Sequence, residues 1–335
     1  MTLSTTPPGD QDSEPKIVVC QHLSPEEFLA AAYPTLRRDE REANIVLAHA
    51  LARVEAGYAL TECGFARTED LPTPIATFPV AAEEFWLTVW SKSGSDLDGV
   101  VSCIGDYPIF LWRRKGATIP ATKLAAFLCA CVIDPKRVFA LFGPTQLVDS
   151  LARAWTALTG FATRPEPLYD ALFASCEPQN WQSLQIDGNR VRKGRSGDLN
   201  AVAGLCEEFA GTSEYPLNAS AADAEARELL AHGLVWVYET TDQEIASICA
   251  ITRTSLRVAA ITKVYTRFGW RRRGFAQDLV GEVTRRLFEC GKGSVVLYVG
   301  RDNVARRVYE RVGFEAIEGE GWKEIGFEGT TRGHW

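Results

Sequence analysis

The sequence predicts an α/β protein (α+β, with a mixed sheet), and three patterns support this. Apolar segments at residues 234–239, 244–252 and 258–266 are separated by turn or polar residues, as in an antiparallel meander. The chain then runs from strand through loop and helix to an apolar strand at residues 294–299, which predicts a right-handed parallel crossover. Residues 138–160 repeat this strand-helix pattern faintly. We therefore expect antiparallel and parallel strands in one sheet.

Composition predicts a globular chain with one large or two medium domains. The chain has 335 residues, 46% hydrophobic and 24% charged, which excludes collagen, coiled coil and a disordered scaffold. The apolar run at residues 124–133 is about half the length needed to cross a bilayer, and residues 1–16 have no signal-peptide core. We expect a cytoplasmic protein. Nine cysteines without a C-x-x-C pair predict neither a metal site nor disulfides, and we interpret them as small core residues.

The net charge limits the partners. At -7, the chain lacks the broad excess of Lys and Arg that nucleic acids or anionic membranes require, so we expect neither as a partner. Any anion-binding site must be local. The oligomeric state is not predicted.

The first half is predicted to be one domain, residues 17–163, after a disordered tail at residues 1–16. Ser24 before Pro25 is typical of a helix start. Residues 164–188 are rich in Pro, Gln, Ser and Asn and are interpreted as a linker. Between these, the pattern predicts strands at residues 85–90, 99–112 and 138–142, a buried helix at 122–132 and an amphipathic helix ending near Gly160.

The second domain is predicted over residues 189–335. Asp198 can cap a first helix, and another follows over residues 221–232. The helix after the meander carries an apolar stripe through Leu279 and Val283, with Glu282 away from it. A later helix is expected to place Val304, Val308, Tyr309 and Val312 inward, to end at Gly313 and to precede strands at residues 315–317 and 322–327.

The loop before the helix with the apolar stripe is the strongest candidate site. Its glycine, Gly274, would let backbone N–H groups at a helix N-terminus approach an anion closely. Basic residues are concentrated here and suit a ligand with several phosphates; a solvated basic turn is the alternative. Neither a Walker pattern nor G-x-G-x-x-G is present. The basic residues are Lys263, Arg267, Arg271, Arg272 and Arg273.

These motifs resemble those of the GNAT superfamily of acyl-CoA-dependent N-acyltransferases. The run Arg271-Arg272-Arg273-Gly274-Phe275-Ala276 fits the loop form Q/R-x-x-G-x-G/A. Asn303, Ala305, Tyr309, Gly313 and Phe314 fit the later helix form N...A...Y-x-x-x-G-F. The resemblance covers residues 189–330 and implies the GNAT fold with acetyl-CoA as co-substrate and no metal.

The resemblance also implies site residues. Val264, Tyr265 and Thr266 would bond pantetheine through their backbone, in an opening where their strand bulges and splays from its parallel neighbour. Arg271, Arg272, Arg273, Gly274, Phe275 and Ala276 would hold the pyrophosphate. Asn303 would contact pantetheine; it lies six residues before Tyr309 instead of the usual seven, so Asp302 is the alternative. Tyr309 would face the sulfur as general acid, the alternative being a buried aromatic anchor.

The implied function is transfer of an acetyl group from acetyl-CoA to an amine of a small molecule or an amino terminus, by direct attack on the thioester. A CoA-binding regulatory or scaffold protein without turnover is the alternative. No carboxylate occupies the frequent position of the base, where residues 259–262 read Ala-Ala-Ile-Thr. Glu207, Glu208, Glu239 and Glu244 are only nearby acids, and no base is assigned. The acceptor and the acyl-chain length are not predicted.

The first half resembles a degenerate GNAT-like domain packed against a working one, the alternative being an unrelated α/β cap. Trp155 stands where the second half has Tyr309. The run Arg113-Arg114-Lys115-Gly116-Ala117-Thr118 departs from the loop form at its last residue. We therefore expect a single CoA site per chain, in the second half.

Overall fold

The structure is a computed structural model that describes residues 17–54, 78–91, 96–182, 190–212, 216–317, 321–330 and 333. The predicted tail at residues 1–16 and the end of the predicted linker lie outside these residues. The described residues form one mixed sheet of thirteen strands. The strands are β1 Ile17–His22, β2 Phe85–Ser91, β3 Leu97–Cys103, β4 Ile109–Arg113, β5 Ala140–Pro144, β6 Tyr169–Cys176, β7 Val191–Lys193, β8 Val235–Glu239, β9 Ile245–Thr254, β10 Val258–Thr266, β11 Ser294–Gly300, β12 Glu315–Ala316 and β13 Trp322–Gly326.

Helices cover both faces of the sheet. At the start of the first helix, the Ser24 hydroxyl accepts a hydrogen bond from the Glu27 N–H at 3.2 Å, as expected of an N-cap. In the described part of the chain, no helix is long and apolar enough to cross a membrane. The helices are α1 Pro25–Leu36, α2 Asn44–Leu51, α3 Ala121–Cys131, α4 Thr145–Thr159, α5 Leu199–Ala210, α6 Ala219–Ala231, α7 Phe275–Glu289 and α8 Arg306–Val312.

The two halves of the chain repeat one arrangement. In the first half, β1 to β4 form an antiparallel meander, and α3 crosses over to β5, which pairs in parallel with β4. In the second half, β7 to β10 form the meander, and α7 crosses over to β11, which is parallel to β10. The predicted meander and crossover are confirmed, and the faint repeat in the first half is a complete copy.

Each half also receives a strand from the other. β6 follows the first half in sequence but pairs with β11 and β12 of the second. β13 ends the second half but pairs with β5 of the first, and β6 and β13 pair with each other at the centre. The two halves therefore form one continuous sheet through a reciprocal exchange of strands.

This exchange corrects the predicted linker at residues 164–188. The segment contains β6, in which Ala171 and Phe173 are buried in the centre of the sheet. The polar and proline residues that suggested a linker lie on either side of this strand. The strands that pair with β6 are not its neighbours in sequence, so the local sequence pattern did not indicate this strand.

Two side-chain placements also differ from expectation. Glu282 on α7 is buried, because Arg285 and Arg286 supply charged partners at 2.8 and 2.6 Å. Val304 is 84% exposed, because α8 begins only at Arg306 and the preceding turn lies at the surface.

Candidate active site in the second half

The second half has an opening between its two parallel strands. β10 pairs with β11 only from Val258 to Ala260. Beyond Ala260, β11 is paired only at its other edge, where β6 accompanies it as far as Gly300. The register of β10 against β9 shifts on either side of Ile261, so that Thr262 is left outside the ladder. The bulge and splay implied by the family resemblance are therefore present. Unpaired backbone groups on this side of β10 are available to an extended ligand.

The direction of those backbone groups follows from the pairing with β9. The N–H of Arg267 donates to the carbonyl of Ala246 at 3.0 Å, and backbone groups alternate in direction along an antiparallel strand. Tyr265 therefore faces β9, where the Ser247 hydroxyl also donates to its carbonyl at 2.8 Å. The backbone groups of Val264 and Thr266 face the opening. Of the three residues predicted to contact pantetheine, Tyr265 is the one whose backbone groups face β9 and not the opening.

At the end of β10, the loop enters α7 through two residues with left-handed backbone. Arg272 and Gly274 have left-handed φ angles of 62° and 85°, and Gly274 is the N-cap of α7. Left-handed residues in a loop that begins a helix can direct successive N–H groups toward one point, to which the helix dipole adds positive potential. A Cβ built on Gly274 meets nothing within 4 Å, so the space in front of the loop is open. This geometry fits a pyrophosphate.

The basic residues around the loop divide into two groups. Lys263 and Arg267 form ion pairs with Glu225 and Glu208, and are therefore committed within the fold. Arg271, Arg272 and Arg273 are exposed at the loop. The Arg271 guanidinium lies 5.2 Å from the Tyr265 ring centroid and donates to the Thr266 carbonyl, and that of Arg273 lies 4.7 Å from the Trp270 ring centroid. Stacking holds these two charges beside the opening.

Tyr309, on α8, lies deep but keeps partial exposure. Its hydroxyl has no hydrogen-bond partner among the described residues. Burial raises the pKa of Tyr309, and the neighbouring Cys249 thiol and Tyr169 phenol raise it further. Gly313 ends α8 with a φ of 105°, where a Cβ would overlap the Asn180 backbone oxygen. The phenol is therefore in its protonated form at neutral pH, and the end of α8 is closely packed against the Asn180 backbone.

The helix motif's asparagine has a local role in this structure. The Asn303 side-chain oxygen accepts a hydrogen bond from the Ala305 N–H at 2.9 Å, which caps the turn leading into α8. Asn303 and Asp302 are both exposed. The cap leaves the amide nitrogen of Asn303 for a pantetheine contact.

The four acids near the site do not include an evident base. Glu208 pairs with Arg267, and Glu239 with Arg192 and Arg195. Glu207 and Glu244 are exposed. The ion pairs of Glu208 and Glu239 give these two acids a structural role.

Sequence reasoning missed three residues beside the opening. Tyr298 on β11 and Tyr169 on β6 are half-buried in the middle of the sheet, and Arg253 on β9 lies over the Tyr298 ring. Burial raises the pKa of Tyr169 to about 12, although the Gly300 backbone and the Arg253 charge lower it. The available signal in the sequence was Arg253 itself, which is the one charged residue of strand β9.

The first half lacks a comparable opening. Between β4 and β5, a Cβ on Gly143 would come within 2.6 Å of the Leu111 Cβ, so these strands stay closely packed beyond their paired residues. Trp155 is fully buried. Gly116, although its φ is 80°, lies five residues before α3, and Arg114 is bound to Asp98 at 2.5 Å.

Comparisons with known proteins agree with this geometry. Residues 240–323 match the family model described as FR47-like protein. A GCN5-related N-acetyltransferase from Sphaerobacter thermophilus superposes with a TM-score of 0.52 at 16% identity, covering 92% of this chain and 94% of that one. A Drosophila protein gives a TM-score of 0.50 at 11% identity, covering 72% and 78% of the two chains. A search of curated proteins found no match.

These findings define the class first: the chain has the GNAT fold, and the resemblance seen in its motifs is confirmed. More particularly, it is a protein of two GNAT-like halves, of which the second contains the FR47-like segment.

Proposed function

We propose that the protein is an N-acetyltransferase that moves an acetyl group from acetyl-CoA to an amine. The observation that carries the proposal is the opening between β10 and β11, which leads to the loop at the N-terminus of α7. An extended pantetheine arm ending in a pyrophosphate has this shape and polarity. The fold of a GCN5-related N-acetyltransferase over nearly the whole chain supports the same class.

Each part of acetyl-CoA has a place in this arrangement. The backbone groups of Val264 and Thr266 bind the pantetheine arm, while the N–H groups of residues 272–276 and the charges of Arg271 and Arg273 hold the pyrophosphate. Asn303 adds a weaker contact to the pantetheine arm through its amide nitrogen. Acetyl-CoA supplies the thioester, and the protein supplies position and charge.

The chemistry is a direct transfer. The amine nitrogen attacks the thioester carbonyl carbon, a C–N bond forms, and the C–S bond breaks with its electron pair on sulfur. The Val264 N–H faces the opening and polarises the carbonyl oxygen. The Tyr309 phenol gives its proton to the departing thiolate. The amine proton leaves to solvent, since no carboxylate base is assigned, and the Tyr309 phenolate takes up a proton from solvent before the next turnover.

The test is release of free CoA thiol by the purified full chain from acetyl-CoA, with and without a panel of amines. Amine-dependent release with formation of the acetylated amine supports the proposal. Binding of acetyl-CoA without amine-dependent release favours the alternative, a CoA-binding regulatory or scaffold protein.

We also expect one CoA site per chain. In the first half, β4 and β5 stay packed at Gly143, and the buried Trp155 has no hydroxyl proton to donate, so that half is proposed to wall one side of the acceptor cleft. Calorimetric titration with CoA should give a stoichiometry of about one. Two equivalent sites per chain would contradict this assignment.

A further inference from the structure

Among the described residues, Arg253 is a buried charge without a counter-charge. It is 4% exposed, and its Nε and Nη1 atoms have no hydrogen-bond partner in the described part of the chain. Its guanidinium carbon lies 5.2 Å from the centroid of the Tyr298 ring. A buried cation in a folded protein normally has a carboxylate partner, because desolvation is costly. Arg253 therefore has binding capacity that the fold leaves unused.

Its position connects this capacity to the active site. Arg253 pairs directly with Ala260, the last residue of β10 that is bound to β11. Ala260 packs into the apolar cluster beneath α1 and α2, so the guanidinium lies at the closed end of the opening, on that face of the sheet. This is the face on which the two halves meet, since α2 packs against β9 and β10.

Aromatic side chains from both halves lie on the same face of the sheet as Arg253. His49 of α2 stacks on Phe110 at 5.0 Å, and Tyr107 lies 4.9 Å from His49, measured between ring centroids. The phenols of Tyr107, Tyr169 and Tyr298 all lie within the electrostatic influence of Arg253. These aromatic surroundings suit a small organic ligand more than a hydrated ion.

Two cations, Arg53 and Arg253, act on the Tyr107 phenol. Arg53 is already bound to Glu84 and to the His49 carbonyl. Of the two, Arg253 is the one that has no carboxylate partner among the described residues. A carboxylate of a ligand would supply that partner.

We propose that Arg253 binds the carboxylate of the acceptor, and that the acceptor class is therefore small amines that carry a carboxylate, of the amino-acid type. The proposal rests on the proposed acetyl transfer, whose acceptor it specifies. A single planar guanidinium between aromatic rings matches a carboxylate through two parallel hydrogen bonds. A phosphate group carries more negative charge and would need a second free cation, but Arg53 is already bound to Glu84.

The experiment is calorimetric titration of the full chain, loaded with CoA, with matched ligands. The probes are alanine, leucine, phenylalanine, β-alanine and γ-aminobutyrate, each compared with its carboxamide and its phosphonate analogue. We expect at least one acid to bind about 10- to 100-fold more tightly than its carboxamide, as for a charged hydrogen-bonded pair. Arg253→Met should remove this preference, and Arg253→Lys should retain part of it.

Arg257→Met is the matched control, because Arg257 is exposed on the turn between β9 and β10 and its substitution should leave the preference intact. Removing an unpaired buried charge should not lower the melting temperature of Arg253→Met, whereas a structural role would. Equal binding of acids and carboxamides, tighter binding of phosphonates, or an unchanged preference in Arg253→Met would overturn the proposal. Because binding is measured without turnover, acid binding without acetylation would instead reject the proposed function.

Discussion

Tyr309→Phe is expected to lower kcat about 100- to 10,000-fold, the usual worth of a general acid. A phenol with its ordinary pKa near 10 is protonated at neutral pH, and burial raises the pKa of Tyr309 further. Desolvation also raises the pKa of the departing thiol, so the burial that weakens the phenol as an acid strengthens the base that accepts its proton. Steady-state kinetics of thiol release against acetyl-CoA concentration will measure the effect.

The substitution separates catalysis from packing. It keeps the ring, which meets Phe314 edge-to-face at 6.0 Å, and removes a hydroxyl without a partner in the described structure. CoA affinity and melting temperature should therefore stay nearly unchanged. Tyr169→Phe is the comparison, since its phenol is the neighbouring one. Full turnover in Tyr309→Phe, or the large loss appearing in Tyr169→Phe instead, would remove Tyr309 from the role of acid.

Gly274→Val is expected to weaken CoA binding by about 2 to 3 kcal/mol, on the scale of lost charged hydrogen bonds. Gly274 is the N-cap of α7 with a φ of 85°, and the space that its missing side chain leaves open is where the pyrophosphate would approach. A β-branched side chain there fills that space. Calorimetry with CoA measures the loss.

Valine at a position with positive φ also strains the backbone, and this effect must be separated from the loss of CoA binding. The other end of α7 offers the control. Gly291, just beyond the other end of α7, has a φ of 87° and equally open surroundings. Gly291→Val should therefore incur a similar backbone strain, about 1 to 3 kcal/mol of stability, without affecting CoA binding. If both variants bind CoA equally well, the loop is not the pyrophosphate site.

The sequence was most informative where structure is local. The strand Val258–Thr266 was predicted with its observed bounds, because its alternation and flanking turns are local signals. The loop at Gly274 was likewise evident from its glycine and charges. The strand β6 was missed because its partners lie over a hundred residues away in sequence. No local pattern encodes such pairing.

Prediction of the site residues was limited in the same way, to those that a local motif shows. Tyr309 followed from a helix motif, but the nearness of Tyr169 and Arg253 depends on the exchange of strands and on the contact between halves. The buried Glu282 was misplaced because helical periodicity does not show that two arginines on the same helix neutralise it.

The exchanged strands have a consequence for synthesis in the cell. β5 ends at Pro144, and its neighbour β13 begins only at Trp322. At about 5 to 20 residues per second, the ribosome needs roughly 10 to 35 s to make the intervening chain. The first half cannot complete its sheet during that time, so the nascent chain exposes the open edge of β5. The last step in folding of the N-terminal half thus waits for synthesis of β13, and truncation before β13 would leave the sheet of the N-terminal half incomplete.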